Sequence, residues 1–525
     1  MSFLSVHYLV FLLLLFVVYF IVEKISRNIQ WIILLLASYV FYGFYSVKYM
    51  IFLLFSTLVT WGVAIGINEC NLQEKIEIMQ DSSITREKKK RIKTIYERKR
   101  KLWISLAVTL NIGLLVIMKY ANFGLASLNT IMGTNFRMLQ WVVLPLGFSF
   151  YTFQSLGYCI DVYRGAVEAQ HNLFKYALFV SFFPQLCEGP IGNYEELMPQ
   201  LLERHPFDYD SFVKGLIRIL IGFFKKIVVA DRLALFVNPI YSNYNEHSGS
   251  IILFATVLYS FQLYADFSGY IDIALGTAKC LGIHLTENFS ASYFSCSITE
   301  FWRRWHISLG VWFRNYLYYP VQRSDLVLKL GKNLSKNGKM KISSSLIVTI
   351  GLVVTWTLIG MWHGAGYKYL VYGWYHGFFI IIAVWFNEFY KKAKVICHIK
   401  DNFIWKLFQI VRTFSIVTLG YVIFRAKYLK DAFAIYRRIL TAFYYHGGQY
   451  KGILIFSRGE WIFLVFSILI CFMFDIIECK KKLVDWIYER NIIIRWSLLY
   501  ILLFITLMFF LQRPADSGNF IYFEF

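Results

Sequence analysis

The stretch Ser344–Trp362 reads SSLIVTIGLVVTWTLIGMW and ends directly before His363. It carries no charged side chain, and its length is close to the ~20 residues that an α-helix needs to cross ~30 Å of hydrocarbon. Comparable apolar runs recur along the chain at Leu9–Val22, Trp31–Tyr45, Met50–Ile67, Leu102–Met118, Ile404–Phe424, Trp461–Ile477 and Trp496–Leu511. The sequence therefore predicts an all-α, polytopic membrane protein.

The composition of the chain agrees with a protein that lies in a bilayer. Of its 525 residues, 58% are hydrophobic and only 16% are charged, a balance unlike that of soluble domains. The long apolar runs do not alternate with polar residues, which argues against a transmembrane β-barrel. Collagen-like, disordered and disulfide-rich secreted classes are excluded as well. The eight cysteines form no C-x-x-C pair, so we expect neither a metal site nor a disulfide framework.

The net charge of +22 has a topological explanation. In a soluble protein it would suggest nucleic acid, but here Lys and Arg lie between the apolar runs, as the positive-inside rule predicts. We therefore expect membrane lipids, and no nucleic acid, as the surroundings of the chain. The densest basic block, Arg86–Lys101, marks a cytoplasmic loop and places the amino terminus outside.

The organisation of the chain is that of one membrane-embedded domain over residues 1–525. We divide it into amino-terminal helices (1–140), a motif-bearing core (141–400) and carboxy-terminal helices (401–525). Proline interrupts helical hydrogen bonding, and a proline-rich stretch therefore predicts re-entrant pieces, above all at Pro184–Pro190. A long apolar helix at Ile251–Ala278 and an interruption at Asn288–Ser297 are predicted to follow.

The first concentration of polar residues is the segment Ser297–Tyr319. An ionisable group in a membrane span costs ~2.5–3.5 kcal/mol, so it needs a partner or a function. Drawn as one continuous helix, the segment has a polar stripe of Thr299, Arg303, His306, Gly310 and Arg314. Two interpretations stay open: an interfacial helix with its arginines in the headgroups, or a cationic groove with an imidazole beneath it. Glu300 and Arg304, four residues apart, are predicted to pair.

Two further histidines lie in the apolar helices that follow. His363 ends the run quoted above, and His376 lies in the next run. Lysines in the two flanking loops put both loops in the cytoplasm, which predicts a helical hairpin. A lone histidine in a membrane helix is more often a hydrogen-bonded core residue than a catalyst. Here three histidines lie in separate helices, with Asp266 and Asp272 nearby in sequence, and this combination favours a catalytic site. Imidazole accepts a hydroxyl proton near neutral pH, so the predicted role is general base.

Seven stretches of the chain match motifs of a known family. They are LPLGFSFYTFQ (144–154), DVYRG (161–165), FFPQ (182–185), YADFSGY (264–270), FWRRWHISL (301–309), MWHG (361–364) and FIYF (520–523). In these motifs and their order the chain resembles the membrane-bound O-acyltransferase family, in the bacterial branch that includes the alginate O-acetylation proteins. The first 140 residues match in hydropathy alone.

The resemblance implies about eleven spanning helices plus re-entrant or interfacial helices, with a tunnel for an acyl donor and a hydroxyl acceptor. It implies that His363 is the active-site histidine and His306 a second one carried by a motif. The donor would be an acyl thioester, acetyl-CoA or an acyl carrier, with no permanently bound cofactor. The candidate substrate-binding residues are Arg303, Arg314, Asp266, Gln154, Trp362 and Trp305.

The leading hypothesis is an acetyltransferase in the bacterial cytoplasmic membrane that modifies an exported cell-surface polysaccharide. By the same resemblance, an exported SGNH-type partner would work beside it. D-alanyl transfer to teichoic acid stays open, although Arg303 favours the acetylating branch because the D-alanyl transferases tend to have asparagine there. Relatives commonly carry a small residue before Gly-Pro-Ile and an arginine shortly after it. This chain has Glu188 and Asn193 at these two places, so the choice of substrate stays open.

Two hypotheses come from other classes. Broken helices and buried charges also fit a transporter or flippase, although we find no internal repeat. A membrane cytochrome would use His363 or His376 as axial ligands. Finally, the aromatic tail at 520–523 is expected to lie exposed on or near the outer face, as an anchor at the membrane interface or, alternatively, as a docking element for the exported partner.

Overall fold

The computed structural model describes residues 3–26, 29–80, 85–140, 142–336, 340–444, 456–512 and Phe520. The described residues form helices and contain no strand, apart from one isolated antiparallel bridge between Phe289 and Trp305. The all-α prediction is thus confirmed.

The α-helices of the amino-terminal half are α1 (Val6–Ile25), α2 (Gln30–Gly43), α3 (Met50–Gln80), α4 (Arg86–Met132), α5 (Phe148–Arg164), α6 (Leu173–Ser181), α7 (Phe183–Leu186), α8 (Tyr194–Leu202), α9 (Tyr209–Phe223), α10 (Asp231–Ser242) and α11 (Gly249–Cys280). Those that follow are α12 (Ile298–Arg304), α13 (Ile307–Phe313), α14 (Tyr319–Gln322), α15 (Asp325–Lys336), α16 (Met340–His363), α17 (Tyr367–Trp385), α18 (Asn387–Ile396), α19 (Phe403–Arg425), α20 (Leu429–Thr441), α21 (Arg458–Glu478), α22 (Leu483–Tyr488) and α23 (Ile492–Leu511). Two π-helical segments, Phe224–Ala230 and Arg314–Tyr318, continue α9 and α13.

The multi-pass membrane character of the protein follows from the lengths of these helices. Among the described residues, eight helices are long and apolar enough to cross a membrane: α1, α3, α4, α11, α16, α19, α21 and α23. The number is nine if α17 and α18, which meet at a bend of 63°, form one span. The span predicted at Trp31–Tyr45 corresponds to α2, which has only 14 residues and is shorter than the ~20 that a crossing needs. The count of about eleven stays a prediction.

The chain divides into two compact units. The first comprises Met1–Gly215 and Ala274–Thr286, and the second comprises Leu216–Ile273 and Glu287–Phe525. The single domain expected from the sequence stays a prediction.

The first unit contains the predicted interruption around Pro184–Pro190. It is confirmed, because α6 and α7 have only nine and four residues and are separated at Phe182. Gln154 on α5 donates through Nε2 to the Phe179 carbonyl at 2.5 Å, and its Oε1 accepts the Gly192 N–H at 3.2 Å. Gln154 therefore satisfies backbone groups that the short helices leave free. Its role in substrate binding stays a prediction.

The second unit contains the predicted helical hairpin, formed by α16 and α17 around the turn Gly364–Gly366. The two backbones approach so closely that a Cβ on Gly373 would lie 2.3 Å from the Trp356 carbonyl oxygen. Only glycine allows this approach. The hairpin places His363 at the carboxyl end of α16 and His376 within α17.

Candidate active site

Five side chains of the second unit form a continuous row of rings, which we call the histidine row. Its members are His306, Trp362, His363, Tyr372 and His376. The successive ring centroids lie 5.8, 4.8, 5.6 and 4.8 Å apart, in that order. The three histidines are buried, at 2%, 5% and 0% exposure from His306 to His376. The structure thus brings together the two predicted catalytic histidines, with Trp362 between them.

His306 occupies a break between α12 and α13. The backbone leaves the helix at Trp305, and His306 adopts the left-handed conformation with φ +49°, which is uncommon for a residue other than glycine. The single helix expected over Ser297–Tyr319 is therefore wrong, and so is its polar stripe. The break follows from pairing with a preceding extended segment: the Ser290 N–H donates to the Arg304 carbonyl at 3.1 Å, beside the bridge to Trp305.

The surroundings of His306 are aromatic. The Phe267 ring lies 4.9 Å from the imidazole, edge to face, and Trp362 covers another side. Burial lowers the pKa of His306 to about 3, because water no longer solvates the imidazolium. His306 is therefore neutral across the physiological pH range.

Trp305 is buried in an aromatic cluster. Its ring stacks on Phe301 at 5.5 Å and meets the edge of Phe289 at 5.0 Å, with Tyr293 at 5.9 Å. This packing holds the break in place, because the indole is 2% exposed and has several ring neighbours. The candidate role of Trp305 in substrate binding stays a prediction.

The arginines of the same segment differ in their surroundings. Arg304 forms the predicted ion pair with Glu300, at 2.6 Å. Arg303 and Arg314 are both exposed. Since the helix breaks at Trp305, these two do not share a helical face with His306, and their contact with substrate stays a prediction.

Asp266 belongs to a separate set of polar residues, the charge cluster. Its carboxylate accepts from Lys226 Nζ at 2.5 Å, and the same ammonium pairs with Asp231 at 3.0 Å. Burial opposes the charge of Lys226, but the carboxylates of Asp266 and Asp231 favour it and raise the pKa of the lysine. Asp266 therefore carries an ion pair, and its contact with substrate stays a prediction.

The second half of the charge cluster is centred on Asp272. Lys225 Nζ lies 2.8 Å from one carboxylate oxygen, and Arg218 Nε lies 3.1 Å from the other. Arg218 also binds both oxygens of Glu287, at 2.7 and 2.5 Å. We did not predict the burial of Lys225 and Lys226 from the sequence. The available signal was the pair of aspartates in an apolar helix, which require cations.

The carboxy-terminal tail is described at Phe520 alone. This side chain is fully buried, with its ring 4.9 Å from that of Tyr270 and 4.6 Å from Lys226 Nζ. The expectation of an exposed aromatic anchor is therefore wrong at Phe520. Residues 521–523 of the motif lie outside the described residues.

The imidazoles of the histidine row can transfer a proton although they carry no permanent charge. No cluster of three or more histidine, cysteine or acidic side chains suited to a metal ion occurs among the residues that the structure describes. His363 lies at the end of a spanning helix, where glycines begin the turn. The fold and the site define a polytopic membrane protein with buried imidazoles able to accept a proton from a hydroxyl group.

The comparisons with known proteins agree with this class. The sequence profile of MBOAT, the membrane-bound O-acyltransferase family, matches residues 166–419. The probable alginate O-acetylase AlgI of Pseudomonas aeruginosa is 35% identical over 429 residues, covering 81% of this chain and 71% of that protein. The peptidoglycan O-acetyltransferase of Helicobacter pylori is 32% identical over 448 residues, covering 80% and 76%. The teichoic acid D-alanyltransferase of Bacillus subtilis is 29% identical over 288 residues, covering 54% and 69%.

The chain belongs to the membrane-bound O-acyltransferase family. It is a multi-pass membrane enzyme that transfers acyl groups to oxygen.

Proposed function

We propose that this O-acyltransferase moves an acetyl group from a cytoplasmic thioester donor across the membrane to hydroxyl groups of an exported cell-surface polysaccharide. The observation that carries the proposal is the histidine row, in which His363 is buried at the end of a spanning helix and linked through Trp362 to His306. The relatives named for alginate and peptidoglycan acetylation support an acetyl group and a polysaccharide acceptor.

In the proposed reaction, His363 is the general base. The acceptor oxygen attacks the thioester carbonyl carbon, and His363 takes the hydroxyl proton as the new C–O bond forms. The C–S bond then breaks, and the proton passes to the leaving thiolate, so that an ester and a free thiol result. His306 acts as a neutral hydrogen-bonding group on the other side of Trp362. The proposed substrate contacts are Arg303, Arg314, Asp266, Gln154, Trp362 and Trp305.

The proposed setting is the bacterial cytoplasmic membrane, with an exported SGNH-type protein as partner. A polysaccharide acceptor has to be brought to histidines that are buried in the protein, and in this proposal the exported partner presents it. Co-purification of this protein with an exported partner tests this point, and failure of any exported protein to co-purify would weaken the two-component proposal.

A second candidate is D-alanyl transfer to teichoic acid. The similarity to the D-alanyltransferase of Bacillus subtilis favours it, and both candidates share a thioester donor and a hydroxyl acceptor. The two differ in the group that alkali releases from the cell surface: acetate in one case and D-alanine in the other.

The experiment that tests the proposal is chemical analysis of surface glycans. Cells lacking this protein are complemented with the wild type or with His363→Ala, and the acetate and D-alanine released by mild alkali are measured. We expect the wild type to restore acetate and the variant, at equal expression, to restore none. Release of D-alanine instead would establish the second candidate, and no ester change in the deletion strain would refute both.

A further inference from the structure

Asn288 is a fully buried residue that lies beside the break at His306. Its carbonyl accepts the Ile307 N–H at 3.1 Å, and its side-chain Oδ1 accepts the Ser308 N–H at 2.9 Å. The two amides that directly follow His306 are therefore both bound by Asn288. These bonds hold the chain where His306 has its left-handed conformation, which is otherwise unfavourable for histidine.

The orientation of the Asn288 amide is fixed by this contact. A backbone N–H can only donate, so the atom that faces Ser308 must be Oδ1, and the other atom must be Nδ2. Nδ2 is buried and has no hydrogen-bond partner among the residues that the structure describes. A buried amide that leaves its NH₂ group without a hydrogen-bond partner destabilises the folded protein. Such a cost is expected where a ligand completes the site.

We propose that Asn288 is a further functional residue of the acyl-transfer site, with a separate role for each side-chain atom. Oδ1 holds the turn that positions His306, and Nδ2 donates to the acyl carbonyl oxygen of the bound donor. This inference rests on the proposed function. As the acceptor oxygen bonds to the carbonyl carbon, negative charge develops on the carbonyl oxygen, and an N–H donor there stabilises the transition state. The oxygen loses this charge when the C–S bond breaks.

The variant Asn288→Asp separates the two roles. The carboxyl group keeps an acceptor for the Ser308 N–H in either protonation state, but it can donate only when it is protonated. The assay is thiol release from acetyl-CoA by the purified protein in lipid nanodiscs with alginate oligosaccharide, as a function of pH. At pH 8 we expect kcat to fall by about 10²–10³-fold, as for other lost donors to a carbonyl oxygen, with little change in KM. The activity should rise again at lower pH, where the introduced acid donates.

The matched control is Asn238→Asp, because Asn238 is an exposed asparagine of the same unit. It should behave as the wild type at every pH. A kcat for Asn288→Asp close to that of the wild type, with no new pH dependence, would overturn the role of Nδ2. If Asn288→Asp does not fold, the isosteric pair Asn288→Thr and Asn288→Val replaces it. At equal thermal stability, kcat values for both variants close to that of the wild type would overturn the inference.

The outcomes also separate this inference from the proposed function. If the wild-type protein releases no thiol, transfer from acetyl-CoA to alginate is not its reaction, and the proposed function fails in this form whatever the residue at position 288. If the wild type is active, His363→Ala is inactive and Asn288→Asp is normal, then the inference about Asn288 alone fails.

Discussion

The histidine row and the charge cluster are two sets of buried polar side chains in the same unit, and their polar groups have different neighbours. In the charge cluster, ammonium and guanidinium groups lie within 3.1 Å of carboxylates, as for Lys226 with Asp266 and for Arg218 with Asp272. In the row, His306 and His363 lie among aromatic rings. A paired ion cannot lose or gain a proton without leaving its partner charge buried. A neutral imidazole among aromatic rings can accept one and return it, so the row is suited to chemistry and the cluster to stability.

The largest effect is expected at His363. His363→Gln keeps a polar side chain of similar length but removes the proposed proton acceptor, so we expect activity to fall by about 10³-fold with a normal yield of folded protein. The measurement is ester transfer by purified protein at matched concentration. The control is His171→Gln at an exposed histidine outside the histidine row, and this variant should stay close to wild type. Equal losses in both variants would contradict the special role of His363.

The next largest effect is expected on the stability of the fold, when the charge cluster is disrupted. Asp272→Asn leaves Lys225 and Arg218 facing a neutral amide, and losing one partner of a buried ion pair costs about 3–5 kcal/mol. The thermal unfolding temperature in detergent should fall accordingly, while the protein that remains folded stays active. The exposed pair of Glu388 and Lys391, 3.7 Å apart, provides the control, since Glu388→Gln should cost only about 0–1 kcal/mol. If Asp272→Asn unfolds like the wild type, the cluster does not stabilise the fold.

A structural feature of these two regions could be predicted from the sequence when it depends on residues that are close together in the chain. The hairpin with His363 and His376 was predictable, because hydropathy over twenty residues and the glycines of the turn are local signals. The pair of Arg304 with Glu300 follows equally from helical spacing, and it is confirmed.

The break at His306 was not predictable in this way. The run FWRRWHISL contains neither proline nor glycine, and by local preference it continues as a helix. Pairing with the segment at Asn288–Ser290 and burial of Trp305 override that preference, and both are contacts between residues distant in sequence. The burial of Lys225 and Lys226 was not predictable for the same reason, because their partners Asp272 and Asp266 lie on α11.

A smaller effect on activity is expected at His306. Asparagine tolerates the left-handed conformation better than most residues, so His306→Asn removes the imidazole while it keeps the turn. We expect a loss of about 10²-fold, because the proposed base, His363, remains. His306→Ala should lose folded protein as well, because alanine does not favour φ of +49°.

The pH dependence of His306→Asn sharpens this assignment. Burial lowers the pKa of His306 to about 3, so the imidazole binds no proton between pH 5 and 8. Any acidic limb of the wild-type profile in that range must come from another group and should persist in His306→Asn. Disappearance of the limb in the variant would show that His306 titrates during the reaction.

The smallest effect is expected at two neighbouring arginines that differ in pairing. Arg304 is neutralised by Glu300, which also accepts the Cys296 N–H, so Arg304→Gln should lower stability by about 0–1 kcal/mol and leave activity unchanged. Arg303 is exposed, and if it guides an anionic donor or polymer, Arg303→Gln should raise KM several-fold at low salt. Added salt should reduce the difference, because at 0.1 M ions largely screen the attraction between exposed charges more than about 10 Å apart. Equal KM values for the two variants at low salt would place Arg303 outside the substrate path and would favour the interfacial role of its segment.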